Sequence, residues 1–241
     1  MSNLESAIRI LHCLSADTPT LKVTDVAGRL GLAKSSVSRL LRTMHEGGLL
    51  KRDENAPIYG PGPLALELSR LYAASNSLLD KVDAALASLV EEFGFTGFAG
   101  MLDGQDVVIL RQHQGWYRLR YILEVGEHHP PFDMAIGIAL LARHNLLAAP
   151  KLGPAQRKQA KAFLVEQTIE VPCRSVPGIT AIGTALREER NGQCIGFSIS
   201  FPDNAAPAAM RAKIKNRVQS VARSIAQEIG DTFHLPRNPK R

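Results

Sequence analysis

Residues 21–60 read LKVTDVAGRLGLAKSSVSRLLRTMHEGGLLKRDENAPIYG, and this stretch decides the N-terminal fold. It predicts a helix over residues 25–30, with Thr24 as its cap and Gly31 in a left-handed conformation at its end. After a tight turn, a second helix is predicted over residues 35–45, whose first residue, a serine, caps it.

The second helix has one apolar face and one polar face. Its apolar residues recur at helical spacing and predict one buried stripe: Val37, Leu40, Leu41 and Met44. The opposite face carries hydroxyl and guanidinium groups: Ser35, Ser38, Arg39 and Arg42. After Gly47 and Gly48, residues 49–52 and 57–59 predict a small basic hairpin that turns at residues 53–56.

Hydroxyl and guanidinium groups on an exposed helix can reach base edges and phosphates in a DNA groove. Helix, turn, helix and basic hairpin together predict a winged helix-turn-helix with residues 35–45 as the recognition helix. The alternative is a protein-docking module whose basic face is merely solvated. The predicted DNA-binding residues are Thr24, Lys34, Ser35, Ser36, Ser38, Arg39, Arg42, Lys51 and Arg52.

This stretch resembles the DNA-binding domain of the IclR family of bacterial transcription regulators. The resemblance rests on Asp25-Val26-Ala27, Gly31-Leu32, Lys34-Ser35, Val37, Arg39-Leu40-Leu41 and Gly48. It implies a winged helix followed by a GAF-like effector domain. It also implies a dimer or tetramer that represses or activates catabolic genes.

The 241 residues are 45% hydrophobic and 22% charged, which is ordinary for a soluble protein of one large or two modest domains. No apolar run approaches the roughly 20 residues of a membrane helix, and the N-terminus does not resemble a signal peptide. Three widely spaced cysteines argue against a disulfide framework or a zinc motif. We therefore expect a cytoplasmic protein that needs no cofactor and contacts no membrane.

The middle of the chain contains a heptad-like seam. Apolar residues recur in alternating steps of three and four from Leu64 to Leu89, with Ser75 as the one interruption. The seam predicts either a linker helix that contributes to a homodimer or one or two helices that pack on their own domain. With a first helix at residues 3–15, the predicted organisation is a DNA-binding domain at 1–63, a linker helix at 64–77 and an effector domain at 78–241.

The remaining sequence alternates strand and helix patterns. Asn191-Gly192 is a strong hairpin signal between the last two predicted strands. The chain as a whole is predicted to be an α+β multidomain protein with a compact C-terminal α/β domain. Strands are predicted at 96–102, 106–112, 117–123, 178–187 and 193–201, and helices at 78–93, 134–144, 154–166 and 207–229.

The last hairpin has a face of small residues. If Asn191 and Gly192 form the centre of the turn, Gly183 lies opposite Ser200. One face then carries small side chains and two hydroxyls, while the other carries large apolar side chains and predicts a core. The small face either leaves a pocket for a small polar molecule or admits a closely packed helix.

The IclR resemblance continues at residues 135–142, 177–183 and 198–200 and implies effector contacts at two serines. Ile138 stands where the family commonly has lysine. If Ile138 and Ala181 both border the cavity, it is less polar than usual and suits an aromatic acid. The predicted effector-binding residues are Gly137, Ala181, Gly183, Ser198 and Ser200.

No motif of an enzyme or of a metal site is present in the sequence. Arg118 and Arg120 could clamp a carboxylate, although two solvated arginines explain the pattern more simply. Four further residues could be imagined as metal ligands, but their spacing fits no known motif: His128, His129, Asp133 and Cys173. We therefore predict neither a catalytic residue nor a metal ligand.

These observations predict a transcriptional regulator of catabolic genes that binds an operator in double-stranded DNA. A homodimer or a dimer of dimers would bind the operator, and a small organic-acid effector would control it. Two alternatives belong to other classes. One is a small-molecule-modifying enzyme with an appended DNA-binding module, and the other is an architectural DNA-binding protein that needs no ligand.

Overall fold

The computed structural model describes residues 2–15, 17–74, 77–146 and 152–235. The chain divides into two compact units, Met1–Asn76 and Ser77–Arg241. Among the described residues, no helix is both long enough and apolar enough to cross a membrane.

Within its described residues, the N-terminal unit combines four helices with a three-stranded antiparallel sheet of order β1-β3-β2. Its core is built from the apolar stripes of the first three helices and from the sheet, and it includes Ile10, Val37, Leu41, Leu50 and Tyr59. The helices are α1 (Asn3–Leu11), α2 (Val23–Leu30), α3 (Lys34–Glu46) and α4 (Pro63–Ala74), and the strands are β1 (Leu21–Lys22), β2 (Leu50–Arg52) and β3 (Ile58–Pro61).

Several local predictions for this unit are confirmed. Gly31 ends α2 with φ of 66°, in the left-handed region that the turn requires. The hairpin forms between β2 and β3 with Lys51 opposite Gly60. The stripe on α3 is buried at Val37, Leu41 and Met44 and half-buried at Leu40.

Both predicted helix caps are wrong. Lys22 and Ala33 occupy the N-cap positions of α2 and α3, and neither makes a side-chain cap bond. The short strand β1 leads directly into α2, so Thr24 already lies in the first turn, where its hydroxyl donates to Asp25 Oδ1 at 2.9 Å. Ser35 is the second residue of α3, since Ala33 is the N-cap and the helix begins at Lys34, one residue earlier than predicted.

The first helix is shorter than predicted. It begins at Asn3, as predicted, with Ser2 as its N-cap: Ser2 Oγ accepts from the Glu5 amide at 3.1 Å. It ends at Leu11 rather than at residue 15. Ser15 and Thr18 exchange two backbone hydrogen bonds of 3.1 Å, which draw the chain into a turn. Two apolar side chains of this helix, Leu4 and Ile8, are exposed to solvent.

The C-terminal unit is a six-stranded antiparallel sheet of order β6-β5-β4-β9-β8-β7 with helices on both faces. Helices α5 and α8 pack on one face, and α6 and α7 pack on the other. The strands are β4 (Thr96–Asp103), β5 (Asp106–His113), β6 (His128–His129), β7 (Ile169–Pro172), β8 (Ile179–Arg187) and β9 (Cys194–Pro202). The helices are α5 (Ser77–Phe93), α6 (Ala135–Arg143), α7 (Pro154–Glu166) and α8 (Ala208–Ile229).

The heptad-like seam separates into two different environments. Helix α4 exposes Leu68 and Leu71, which are 53% and 55% accessible. Helix α5 instead buries Leu78 and Leu89 completely in the core of its own unit. The helix-packing interpretation is therefore confirmed for α5, while Ser75, the interruption of the seam, lies outside the described residues.

The strand predicted at residues 117–123 is wrong. The chain bends at residues 118 and 119, the segment pairs with no strand of the described chain, and β5 pairs instead with His128 and His129 of β6. Arg120 Nε donates to the Tyr117 carbonyl at 3.3 Å, so the segment folds back on itself instead of forming a ladder. Its apolar alternation still has a structural use, because Tyr121 and Leu123 pack on the sheet.

The register of the last hairpin differs by two residues from the prediction. Gly183 pairs with Ser198, and Ala181 pairs with Ser200. The loop contains four residues, 189–192, and it closes where the Glu188 amide donates to the Gln193 carbonyl at 2.8 Å. A shift of two residues leaves every side chain on its predicted face, so the prediction of one core face and one small face is confirmed.

The segment after α8 is anchored to the sheet. Asp231 is buried and accepts from Arg143 Nη2 at 2.6 Å and from the Arg187 amide at 2.9 Å. His234 is 1% exposed, and its Nε2 lies 3.0 Å from the Ala185 carbonyl oxygen. A buried ion pair and a buried imidazole thus tie the end of the unit to α6 and β8.

Candidate functional site

The predicted DNA-binding residues lie on exposed parts of the N-terminal unit. Because Val37, Leu41 and Met44 are buried, α3 must turn its opposite face to solvent. All of the predicted residues are exposed except Ser36, which is half-buried: Thr24, Lys34, Ser35, Ser38, Arg39, Arg42, Lys51 and Arg52.

The charges on this surface are weakly engaged. Arg42 Nε lies 3.9 Å from Glu46 Oε1 across one turn of α3, and both side chains are largely exposed. An exposed pair of this kind contributes only about 0.3–0.5 kcal/mol. The Arg42 guanidinium can therefore exchange this partner for a phosphate or a base at little cost.

His45 joins α3 to the hairpin, a contact that the sequence did not indicate. Its Nδ1 lies 3.2 Å from the Leu50 carbonyl oxygen and 3.3 Å from the Arg52 amide nitrogen. The ring also stands edge-on to Tyr59, with the ring centroids 6.3 Å apart. These contacts hold the basic hairpin against the end of α3.

Two of the predicted effector-binding residues are glycines that serve close packing. A Cβ on Gly137 would lie 2.1 Å from the Pro131 carbonyl oxygen, and a Cβ on Gly183 would lie 2.7 Å from the Phe197 carbonyl oxygen. Helix α6 itself presses on β9, since a Cβ on Gly196 would lie 2.6 Å from Ile136 Cγ2. Along this part of the small face, the packed-helix alternative therefore applies.

The next part of the small face borders a cavity. Ala181, Ser198 and Ser200 line it, whereas Gly137, Gly183 and Ile138 are not among its lining residues. Its volume of about 20 Å³ accommodates little more than one water molecule. The lining consists of Phe98, Tyr121, Leu123, Asp133, Met134, Ala135, Val171, Cys173, Ala181, Ser198 and Ser200.

The two serines are buried without hydrogen bonds. They are 3% and 6% exposed, and neither hydroxyl has a partner in the part of the chain that the structure describes. Because both residues line the cavity, a polar group of a ligand that reached Ser198 and Ser200 could form hydrogen bonds with both hydroxyls.

The cavity contains no cationic side chain. Asp133 lies one residue before Met134, the N-cap of α6, where a carboxylate compensates the positive end of the helix dipole. Burial raises the pKa of Tyr121 to about 12, and the neighbouring Cys173 adds to the shift, so the phenol stays protonated. Asp133 Oδ1 lies 4.0 Å from Nε of Arg174, whose side chain is 61% exposed.

The imagined metal ligands are not brought together. His128 Nε2 lies 3.0 Å from Asp103, and His129 Nε2 lies 3.1 Å from Glu127, in separate pairs at the surface. Asp133 and Cys173 line the cavity instead. In the described residues no group of three or more His, Cys, Asp or Glu side chains could hold a metal ion.

Comparison with known proteins identifies the family. Residues 4–54 match the family model of the IclR helix-turn-helix domain. A relative from Mycobacterium tuberculosis, the HTH-type transcriptional regulator Rv1719, is 30% identical over 197 residues, which cover 75% of each chain. This chain belongs to the IclR family. It is therefore a DNA-binding transcriptional regulator.

Solved IclR structures share the whole fold. A putative IclR transcriptional regulator from Silicibacter superposes with a TM-score of 0.82 at 19% identity, covering 98% of this chain and 100% of the other. An IclR homolog from Microbacterium hydrocarbonoxydans, complexed with 4-hydroxybenzoate, has a TM-score of 0.80 at 18% identity, with 95% and 98% covered. The predicted α+β two-domain fold is confirmed by this agreement.

The departure at Ile138 has a different meaning from the one predicted. Ile138 is fully buried in the core between α6 and the sheet and does not border the cavity. Of the two residues expected to make the cavity less polar, Ala181 lines it and Ile138 does not. The sequence did not predict that Phe98 and Tyr121 line the cavity. The position of Phe98 depends on strand pairing, and that of Tyr121 depends on the path of residues 117–123.

Proposed function

We propose that this IclR-family regulator represses or activates catabolic genes in response to a small organic acid bound in the C-terminal unit. The observation that carries the proposal is that Ser198 and Ser200 line the cavity and that neither hydroxyl makes a hydrogen bond within the described part of the chain. Ala181 stands beside them, and Gly137 and Gly183 support the site through close packing. The complex of the Microbacterium homolog with 4-hydroxybenzoate supports an aromatic acid among the candidates.

We assign operator binding to the exposed face of α3 and to the basic hairpin. Arg39 and Arg42 contact bases or phosphates in this assignment, the serines and Lys34 provide further polar contacts, and Lys51 and Arg52 hold the flanking backbone. Thr24 provides a phosphate contact from α2. The exposure of these side chains, with the apolar stripe buried behind them, supports the assignment.

A homodimer, or a dimer of dimers, belongs to the same proposal. One recognition helix contacts only a half-site, and specific operators commonly pair two half-sites. The N-terminal unit exposes apolar side chains on two helices, which support its self-association: Leu4, Ile8, Leu66, Leu68, Leu71 and Tyr72. In this assignment residues 1–63 bind DNA, α4 is the linker helix, and the unit that begins at Ser77 is the GAF-like effector domain.

The proposal includes no catalytic role, and it places the protein in the cytoplasm with its operator. The family consists of transcriptional regulators, which supports a protein that binds its ligand without converting it. An enzyme with an appended DNA-binding module would instead consume the organic acid that changes its binding to the operator. Incubating the protein with each active acid and measuring the remaining acid distinguishes the two.

The proposal is tested with the DNA upstream of the protein's own gene, a fluorescent label and a panel of small organic acids. The double variant Ser198→Leu/Ser200→Leu fills the cavity. It should retain operator affinity and lose the response to the acid that changes wild-type binding. The control Ser220→Leu makes the same change at an exposed site on α8 and should respond normally.

Two results would contradict the proposal. A normal response in the double variant would remove the serines from the effector site. No change in operator binding with any acid would favour an architectural DNA-binding protein.

A further inference from the structure

A groove continues the floor of the cavity along the strands β8 and β9. Its volume is about 390 Å³, and its floor includes the paired residues Ile179 and Pro202. The pair formed by Ala181 and Ser200 lies two residues further along the same strands. Residues two apart on a strand share one face, so the two floors are successive rows about 7 Å apart on the same side of the sheet.

Tyr121 separates the groove from the cavity. Its side chain belongs to the lining of both, and its ring stands edge-on to Phe98 with the centroids 5.6 Å apart. The cavity alone is too small for an organic molecule. A rotation of the Tyr121 side chain would join the two spaces into one site that extends along the strands.

The groove offers a cation that carries no ion pair. Arg120 lines the groove and donates only to neutral acceptors, the Tyr117 carbonyl oxygen and Gln114 Oε1, each at 3.3 Å. No carboxylate of the described chain pairs with it. Asp203, the acidic residue of the groove, is already held by Thr180 and Arg211.

The cavity has the opposite electrostatic character. Its ionised side chain is the Asp133 carboxylate, which compensates the N-terminus of α6, and its phenol is protonated. A carboxylate placed beside Ser198 and Ser200 would lose its hydration, face Asp133 and find no buried cation. A neutral hydroxyl or carbonyl group would satisfy both serines without that electrostatic cost.

We infer that the effector is an elongated acid whose neutral polar end reaches Ser198 and Ser200 and whose carboxylate binds Arg120 in the groove. Tyr121 turns aside to admit the apolar middle of the molecule. The rows of the floor set a separation of about 7–13 Å between the two ends, which suits a hydroxyaryl acid. This inference rests on the proposed effector site and adds the orientation and the chemical class of its ligand.

Calorimetric titration of the full chain with 4-hydroxybenzoate and 4-hydroxycinnamate tests the orientation. The phenols that correspond to these two acids without their carboxylate serve as matched control ligands. Arg120→Gln should weaken binding of the acids about three- to fivefold, as expected for the loss of a solvent-exposed ion pair, and should leave phenol binding unchanged. Arg118→Gln removes the same charge two residues away, outside the groove lining, and should change acid binding less than about twofold.

A second variant tests which end of the ligand lies in the cavity. Asp133→Asn removes the negative charge of the cavity, which would strengthen acid binding if the carboxylate entered it. The inference predicts no such gain. A gain in Asp133→Asn, equal losses in the two arginine variants, or wild-type affinity in Arg120→Gln would overturn the orientation while leaving the serine site intact. If neither acid binds the wild type, the ligand class is wrong, and the serine-to-leucine experiment still decides the effector site.

Discussion

The two units hold their candidate functional residues in opposite surroundings. In the N-terminal unit, Arg39 and Arg42 are exposed, and the core lies behind them on the other face of α3. In the C-terminal unit, Ser198 and Ser200 are buried within a wall that is also part of the fold. A surface that binds a macromolecule can therefore vary independently of the core, whereas a cavity for a small molecule is a property of the core itself.

The contrast between the two units is tested most sharply in α4 and α5, because the heptad-like seam continues from one helix to the other in the sequence. Leu78→Ala should lower the free energy of unfolding of the C-terminal unit by about 2–5 kcal/mol, since Leu78 is fully buried in α5. Trp116 is the single tryptophan and lies in that unit, so its fluorescence during urea denaturation reports the change.

Leu71→Ala is the matched variant, because the same substitution falls on an exposed position of α4. It should leave the Trp116 transition unchanged and should weaken self-association in sedimentation experiments. A large loss of stability from Leu71→Ala, or none from Leu78→Ala, would break the division between the units.

The recognition helix should lose function without losing stability. Arg39→Ala and Arg42→Ala should each cost about 1–3 kcal/mol in operator binding at fixed salt, because each removes one base or phosphate contact. Both side chains are exposed, so the unfolding transition followed by circular dichroism should not move.

Arg157→Ala removes the same charge from an exposed position of α7 and controls for the net charge of the protein. Equal losses in all three variants would indicate nonspecific attraction to DNA. Unchanged binding in both α3 variants would refute the assignment of the recognition helix.

The smallest expected effect is a pH dependence confined to the C-terminal unit. Burial lowers the pKa of His234; Arg143 and Arg223 act in the same direction, while the Ala185 carbonyl and Asp231 oppose it. As pH falls below about 6.5, the unfolded chain binds a proton that the folded chain does not, so stability decreases. The slope should reach at most about 1.4 kcal/mol per pH unit.

The measurement compares Trp116 unfolding between pH 7.5 and 5.5 in the wild type and in His234→Gln. Glutamine can still donate to the Ala185 carbonyl but does not titrate, so the difference between the two curves isolates the imidazole. Parallel curves would show that His234 does not contribute to the pH dependence.

Sequence patterns predicted the N-terminal unit closely because its structure depends on local periodicity. Val37 and Leu41 determine which face of α3 is buried, and Gly31 needs only a local turn. The predictions of Thr24 and Ser35 as N-caps were wrong because both helices begin earlier than the positions of the hydroxyl residues suggested. The N-cap residues are Lys22 and Ala33. In the C-terminal unit the small face of β8 and β9 was also predictable, since a two-residue change of register preserves it.

The amino-acid sequence by itself determined the longer helices, the buried stripes, the small-residue face and the family of the protein. These depend on residue type and spacing along the chain. Only the tertiary structure decided that α4 exposes what α5 buries, that Ile138 lies in the core and that Tyr121 stands between a cavity and a groove. Such features arise where segments distant in sequence meet, and the space left between them is not encoded at any single position.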